Sequence, residues 1–306
     1  MEYRTHLLTA AALALMAGGM AQADVKIVAT VNTTGMPAPP ADRPADAPQP
    51  PSFPQTVTAY YKGSHARIEE GNGPVSLYDF TTGKVARLDP ARQTYFIAPI
   101  DRMPGGPGRH RQGPPMDGKI TLTAADGTKT IAGQSARSYT VSGSLSPKGG
   151  GFPGGPPPDG GGQGGEKPKD TITGTVWFSD GVALTSDSKY AALPLTRLLV
   201  FMAGPVAKPL GDALNSQKLI PLESAITVTH PLPPRRDSDA SSDNGASTVT
   251  ITTTMTVMFV SQSALDDSLF QPPSGYTQID APAPRGGPMG PPPGGGGGPD
   301  GPPPGG

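Results

Sequence analysis

The stretch Thr248–Val260, with the sequence TVTITTTMTVMFV, alternates between two kinds of residue over most of its length. Its odd positions are mostly apolar, and its even positions are threonine as far as Thr256. Because successive side chains of a strand point to opposite faces, this alternation predicts one long strand with an apolar face and a solvated face. The apolar face would include Val257 and Phe259. A strand of this kind is typical of an antiparallel sheet that is covered on one side only.

Shorter β-rich segments with turn residues between them fill much of the remaining chain. In the first half we predict strands at Gln55–Lys62, Arg67–Glu69, Val75–Phe80, Lys84–Leu88 and Gln93–Ala98. In the second half we predict strands at Lys119–Thr123, Thr128–Ile131, Ala136–Val141 and Thr171–Phe178. Pairs such as Gly63-Ser64, Asp126-Gly127 and Asp180-Gly181 supply tight turns between them. The pattern therefore predicts an antiparallel meander of about ten strands.

One segment, Tyr190–Met202, has a different pattern. It is rich in leucine and carries Arg197 as its only charge. Pro194 suits the first turn of a helix, and Gly204-Pro205 would end it, so we predict a mostly buried helix. A sheet with one apolar face can bury such a helix by curving around it. The expected fold class is mainly β: a curved antiparallel sheet or half-open β-barrel of about ten strands, with one main helix packed in its concave face.

Glycine and proline, at 42 and 40 residues, make up more than a quarter of the chain and occur in blocks. Segments with so few large apolar residues cannot offset the entropy of ordering by burial, so we expect them to be disordered. The rest forms a single β domain, 24–280. The blocks interrupt that domain at 33–54, 102–116, 146–169 and 231–246, and a Gly/Pro-rich tail follows at 281–306.

The first 23 residues have the features of a signal peptide. Arg4 precedes an apolar run, Leu7–Met20, which is followed by Ala21-Gln22-Ala23. Small residues at those positions suit signal peptidase, so we expect cleavage before Asp24. The chain contains no cysteine and therefore no lipobox cysteine or disulfide. We expect a periplasmic or secreted protein without a transmembrane segment in its mature chain.

Composition and motifs also exclude several classes of function. The net charge of −1 gives no basic field for nucleic acid. Neither a G-x-S-x-G elbow nor a phosphate-binding glycine loop is present, so we expect a protein that is not an enzyme and has no cofactor. The histidines after the leader, His65, His110 and His230, are too dispersed to predict a zinc site. Met103 and Met116 flank His110 in one insert, but a solvated loop accounts for them better than copper binding.

Several short motifs, taken in chain order, carry a family resemblance. They are Tyr61-Lys62-Gly63 with Arg67-Ile68-Glu69, Tyr78-Asp79, Leu88-Asp89-Pro90, Ile131-Ala132-Gly133, Gly174–Asp180 around Trp177, and Ala264–Phe270 followed by Gly275-Tyr276. In this order they resemble the lipoprotein-localisation (LolA/LolB-like) superfamily of periplasmic carriers, in a branch known only as a domain of unknown function. The resemblance implies a half-open β-barrel with helices in its mouth and a cavity able to take acyl chains.

We therefore expect an exported, non-enzymatic binding protein that holds a lipid, an acyl chain or a lipidated protein in an apolar cavity. The candidate lining residues are Trp177, Leu195, Leu198, Leu199, Met202, Val257 and Phe259. Arg67 and Arg197 are candidates for the cavity rim, where each could hydrogen-bond a headgroup. Two alternatives stay open: the apolar residues could fill a closed core, and the arginine heads could simply reach water. In another class, the Gly/Pro-rich segments could be the working parts, contacting cell wall or protein partners.

Overall fold

The structure is a computed structural model that describes residues 24–36, 52–71, 73–100, 116–147, 169–183, 193–200, 206–231 and 248–281. The expected signal peptide, most of the four Gly/Pro-rich inserts and nearly all of the tail lie outside these residues. Met103, His110 and Met202 lie outside them as well.

The described residues form a mainly β fold in which twelve strands join in one sheet. The strands are β1 (Val25–Thr34), β2 (Gln55–Lys62), β3 (His65–Glu70), β4 (Val75–Asp79), β5 (Lys84–Asp89), β6 (Thr94–Pro99), β7 (Met116–Ile131), β8 (Gln134–Pro147), β9 (Asp170–Ala183), β10 (Leu219–Pro231), β11 (Thr248–Gln262) and β12 (Thr277–Gln278). Helices α1 (Leu193–Val200) and α2 (Ala207–Asn215) lie between β9 and β10. A short 3-10 helix, Asp267–Phe270, precedes β12.

The strand order is β12-β6-β5-β4-β3-β2-β1-β11-β10-β9-β8-β7. Neighbouring strands are antiparallel, except that the short β12 runs parallel to β6. The chain thus makes two meanders, β1–β6 and β7–β11, which join where β11 pairs with β1. The sheet stays open, with β12 and β7 at its edges. The predicted fold class, a curved open antiparallel sheet with a main helix against one face, is confirmed.

Strands β2–β6 match their predictions closely, whereas β7–β9 differ from theirs. Asp126-Gly127 does not form a hairpin turn: β7 continues through it, with a register shift between Ala124 and Thr128. Likewise, β9 continues past Asp180-Gly181 as far as Ala183. Both predicted turns are therefore wrong: β7 resumes pairing with β8 at Thr128, and β9 resumes pairing with β10 at Ala183. A favourable turn dipeptide is only a local preference, and sheet pairing overrides it here.

β1, β10 and α2 have no counterpart among the predicted elements. In β1 every second residue from Val25 to Val31 is buried, so a period of two was available in the sequence. Helix α2 contains Pro209 and Gly211, which both lower helix propensity. Pro209 is tolerated because it lies in the first turn, where its missing N–H has no acceptor within the helix. The buried residues of α2, which include Leu210 and Leu214, recur at helical spacing.

Strand register divides the sheet into an inner face, which carries the helices, and an outer face. Residues that pair directly across antiparallel strands share a face. Ile27, Ala59 and Ile68 form one such row on the inner face, and all three are buried. Helix α1 contacts β10 and β11, and α2 contacts β7. The hydrophobic core therefore lies between the inner face and the two helices.

Two glycines allow a direct test of this packing. A Cβ on Gly174 in β9 would overlap the carbonyl oxygen of Ala225 in β10, whereas a Cβ on Gly211 in α2 would meet nothing within 4 Å. We expect Gly174→Ala to lower the free energy of unfolding by about 1–3 kcal/mol, because the strands must move apart. Gly211→Ala should instead raise it by up to about 1 kcal/mol through helix propensity. Urea denaturation measures both values, and a neutral Gly174→Ala would contradict the close strand approach.

Candidate functional site

The centre of the inner face, beneath α1, contains three of the predicted lining residues. Leu195 and Leu199 of α1 are 0% and 2% exposed, and Val257 of β11 is 2% exposed. Leu198 is only half-buried and packs at the edge of the same cluster. The structure therefore brings Leu195, Leu199 and Val257 together in a packed interior, with Leu198 at its margin. This arrangement matches the closed-core alternative for these residues.

Phe259, another predicted lining residue, lies on the outer face. The register between β1 and β11 shifts, so that Ala29 pairs with Val257 but Val28 pairs with Phe259. Met258 is the extra residue of this bulge. Beyond it the side chains exchange faces, and Phe259 is 50% exposed. The alternation of the β11 sequence therefore describes the faces correctly only as far as Val257, and Phe259 does not line the inner face.

Trp177 also lies on the outer face. It pairs with Ser138 of β8 and Glu223 of β10. Its ring lies 4.2 Å from Nζ of Lys129, which forms an ion pair with Glu223 at 2.6 Å. The neighbouring Phe178 points to the inner face and contacts Tyr139 edge-on, with ring centroids 5.3 Å apart. Trp177 thus belongs to a polar cluster on the outer face and is a partly buried residue that packs against the hydrophobic core, as Leu198 is.

Arg67, predicted at a cavity rim, holds the C-terminal segment, which we define as Ser263–Ile279, against the outer face. Its Nε donates to Glu69 at 2.7 Å, and its Nη1 donates to the carbonyl oxygen of Leu269 at 3.0 Å. The side chain is 16% exposed. Because Arg67 binds both Glu69 and Leu269, it serves a structural role in holding the C-terminal segment. It lies on the opposite face from the helices.

Lys62 fixes the start of the same segment. Its Nζ donates to the carbonyl oxygen of Leu265 at 2.6 Å and lies 2.7 Å from a carboxylate oxygen of Asp267. The hydrogen bond to Asp267 raises the pKa of Lys62. Asp24, the expected first residue of the mature chain, accepts the backbone N–H of Leu265 at 2.8 Å. The two ends of the described domain are therefore joined at this point.

The 3-10 helix Asp267–Phe270 begins directly after Asp266. The Asp266 carboxylate accepts the backbone N–H of Ser268 at 2.8 Å and caps the 3-10 helix. This hydrogen bond lowers the pKa of Asp266. The ring of Phe270 lies 6.1 Å from that of His65 on β3, so the helix packs against the outer side of the first meander.

Arg197 and two tyrosines form a polar group on the inner face next to α1. The guanidinium of Arg197 lies 3.4 Å from the hydroxyl of Tyr78 in β4. Tyr61 of β2 is 3% exposed. Burial raises the pKa of Tyr61 well above its ordinary value, the nearby Tyr78 raises it further, and the backbone of Leu195 opposes the change. Of the two predicted rim arginines, Arg197 is therefore the one that lies beside the helix-covered face.

Arg87 of β5 adds a charge to this side of the sheet that sequence reasoning did not identify. It pairs with Ser76 and Phe96, and the inner-facing Val85 precedes it by two residues. Burial lowers the pKa of Arg87, and Arg197 lowers it further, while Glu70 and Tyr78 raise it. Arginine at a position where strand alternation expects an apolar residue is the sequence signal that would have found it.

A cavity of about 420 Å³ lies at the end of the sheet where the β3–β4 and β5–β6 turns meet. Its walls combine apolar and polar residues and are formed by Gly73, Pro74, Arg87, Leu88, Asp89, Pro90, Ala91, Arg92, Thr94, Tyr95, Phe96 and Ile279. Pockets for small molecules typically measure about 300–1,000 Å³ and have mainly apolar walls with a few polar groups. The volume of the cavity therefore falls in the range of small-molecule sites.

Within the described residues, no group of three or more His, Cys, Asp or Glu side chains could hold a metal ion. His230 lies 3.1 Å from a carboxylate oxygen of Asp170, on the opposite half of the sheet from His65. The described part of the chain also contains no helix long and apolar enough to cross a membrane.

No protein-family model matches the chain, and no curated protein matches it significantly. The resemblance to the lipoprotein-localisation superfamily therefore stays a prediction from short motifs.

Proposed function

We propose that this protein is an exported, non-enzymatic binding protein of the bacterial envelope that holds a lipid, an acyl chain or a lipidated protein at the inner face of its sheet. The observation that carries the proposal is that two short helices, and not a second sheet, cover an extended apolar face. Buried leucines of α1 and α2 provide the contact. Two short helices can move away from the sheet at a smaller cost in free energy than a whole second sheet could.

The cavity beside this face supports the same function. It contains apolar side chains such as Leu88, Phe96 and Ile279 together with the cation Arg87. This combination suits a ligand with an apolar body and a polar end. The signal-peptide features of the first 23 residues support an envelope location.

Lipid extraction tests the proposal directly. Protein purified from the periplasm is extracted with organic solvent, and the extract is analysed by mass spectrometry. We expect a lipid or fatty acid in near-stoichiometric amount. The delipidated protein should then gain thermal stability on addition of palmitate, by about 2.7 kcal/mol when the ligand concentration is a hundred times its dissociation constant.

Two substitutions on β11 provide a matched pair for the titration. Val257→Thr places a hydroxyl on the inner face and should weaken palmitate binding, whereas Phe259→Thr alters only the outer face and should leave it unchanged. Absence of bound lipid together with no stabilisation of the delipidated wild type would refute the proposed function.

A further inference from the structure

Arg87 is a partly buried cation that has no partner in the described part of the chain. It forms no hydrogen bond or ion pair with any described residue, and it faces Ser76 and Phe96 across the neighbouring strands. Burial lowers its pKa, and Glu70 lies near enough to raise it without forming an ion pair. A desolvated charge is costly unless a hydrogen-bonding counter-charge compensates for it. The side chain is therefore prepared for an anion that the described residues do not supply.

The other charges of the cavity compensate each other. Asp89 accepts the backbone N–H of Arg92 at 3.2 Å, and its carboxylate lies 3.8 Å from Nε of Arg92. Arg87 is thus the wall cation without a carboxylate of its own. Arg197 of α1 lies close enough to Arg87 to lower its pKa. The cavity lies at the end of the sheet, with Leu88 on the outer face and with Arg87 and Phe96 on the helix-covered inner face. Cationic charge accumulates where the cavity meets that face.

We propose that Arg87 binds the anionic headgroup, a carboxylate or a phosphate, of a single-chain amphiphile whose chain lies against Leu88, Phe96 and Ile279. The inference rests on the proposed function, which it narrows from lipids in general to anionic ones. The planar guanidinium donates two parallel hydrogen bonds to such a group. The apolar walls take the first part of the chain, and the tyrosine hydroxyl of Tyr78 lies on the same face of the sheet as Arg87.

The test compares three ligands that share one saturated chain length: palmitate, 1-palmitoyl lysophosphatidate and hexadecanol. Affinities for the delipidated protein are measured by displacement of a fluorescent fatty-acid probe. We expect at least one anionic ligand to bind about tenfold or more tighter than the alcohol, since a hydrogen bond to a charged group contributes that much. The tighter of the two anionic ligands identifies carboxylate or phosphate as the headgroup.

Arg87→Gln should remove this preference and leave hexadecanol binding unchanged. Arg137→Gln is the matched control, because Arg137 is an exposed arginine of β8 whose Nε lies 2.9 Å from Asp180. It should keep the preference for the anionic ligand. If Arg87→Gln does not fold, the ratio of the wild-type affinities for the anionic ligands and hexadecanol still tests the headgroup site. Arg87→Lys then replaces Arg87→Gln, and it should retain part of the preference for the anionic ligands.

Equal wild-type affinity for hexadecanol and both anionic ligands would overturn the headgroup site and leave the proposed function standing. Loss of the preference in Arg137→Gln as well as in Arg87→Gln would also overturn it, because the effect would then be one of overall charge. If none of the three ligands binds, the proposed function and the headgroup site both fail.

Discussion

Replacement of Leu199 by alanine is expected to lower the free energy of unfolding by about 3–5 kcal/mol. Leu199 is 2% exposed and packs with Leu195 and Val257 in the interior beneath α1. Truncation removes apolar contacts and leaves a void, because the paired strands behind it cannot collapse into the space. Helix α1 is short, so most of its stability comes from these contacts and not from helix propensity.

Leu198→Ala is the matched control, since the adjacent side chain is only half-buried. We expect a loss of about 1–2 kcal/mol, in proportion to the smaller area removed from water. Urea denaturation of both variants and the wild type, with and without palmitate, measures the two losses. If the losses are equal and small, α1 covers an open space and not a packed interior. If palmitate stabilises Leu199→Ala more than it stabilises the wild type, the ligand chain lies at this void.

Strands β2–β6 of the first meander could be predicted from sequence because local signals agree there. Each strand between Gln55 and Pro99 is short, alternates regularly and ends at residues that favour turns. Helix α1 was predictable for a similar reason, since a leucine-rich segment with proline in its first turn has few other solutions. Helix α2 was not, because Pro209 and Gly211 obscure its helical period.

The errors in the second meander have a different physical cause. The dipeptides Asp126-Gly127 and Asp180-Gly181 favour turns, but their strands have partners along most of their length. The bulge at Met258 depends in the same way on how β11 pairs with β1. Pairing is a property of two distant segments, so neither the continued strands nor the outward position of Phe259 can be read from one segment alone.

In the candidate site, too, some residues follow from local sequence and others depend on tertiary partners. Leu195, Leu199 and Val257 could be predicted because burial follows from apolar periodicity. Arg67 and Arg197 each have an apolar residue next to them in the sequence, yet they lie on opposite faces. Arg67 finds a backbone carbonyl more than two hundred residues away along the chain. The role of a lone arginine depends on such tertiary partners, which is also why Arg87 was not identified.

Adjacent aromatic residues on β9 test the assignment of the two faces. Phe178 is fully buried on the inner face, whereas Trp177 is partly buried on the outer face beside Lys129. We expect Phe178→Ala to lower the free energy of unfolding by about 3–5 kcal/mol, the usual cost of deleting a buried aromatic ring. Trp177→Ala should cost about 1–2 kcal/mol, because the ring is already partly exposed to solvent and its contact with Lys129 contributes only about 0.5–1 kcal/mol.

Trp177 is the single tryptophan of the chain, so fluorescence excited selectively at tryptophan reports its environment alone. With the ring on the outer face, palmitate bound at the inner face should leave the emission maximum unchanged while raising the melting temperature. Conversion of Lys129 to methionine should shift the emission, because the ammonium lies directly over the ring. The two faces would be assigned wrongly, with Trp177 facing the ligand, under either of two results. One is a palmitate-induced shift of the wild-type emission as large as that caused by the Lys129 substitution. The other is a larger loss of stability for Trp177→Ala than for Phe178→Ala.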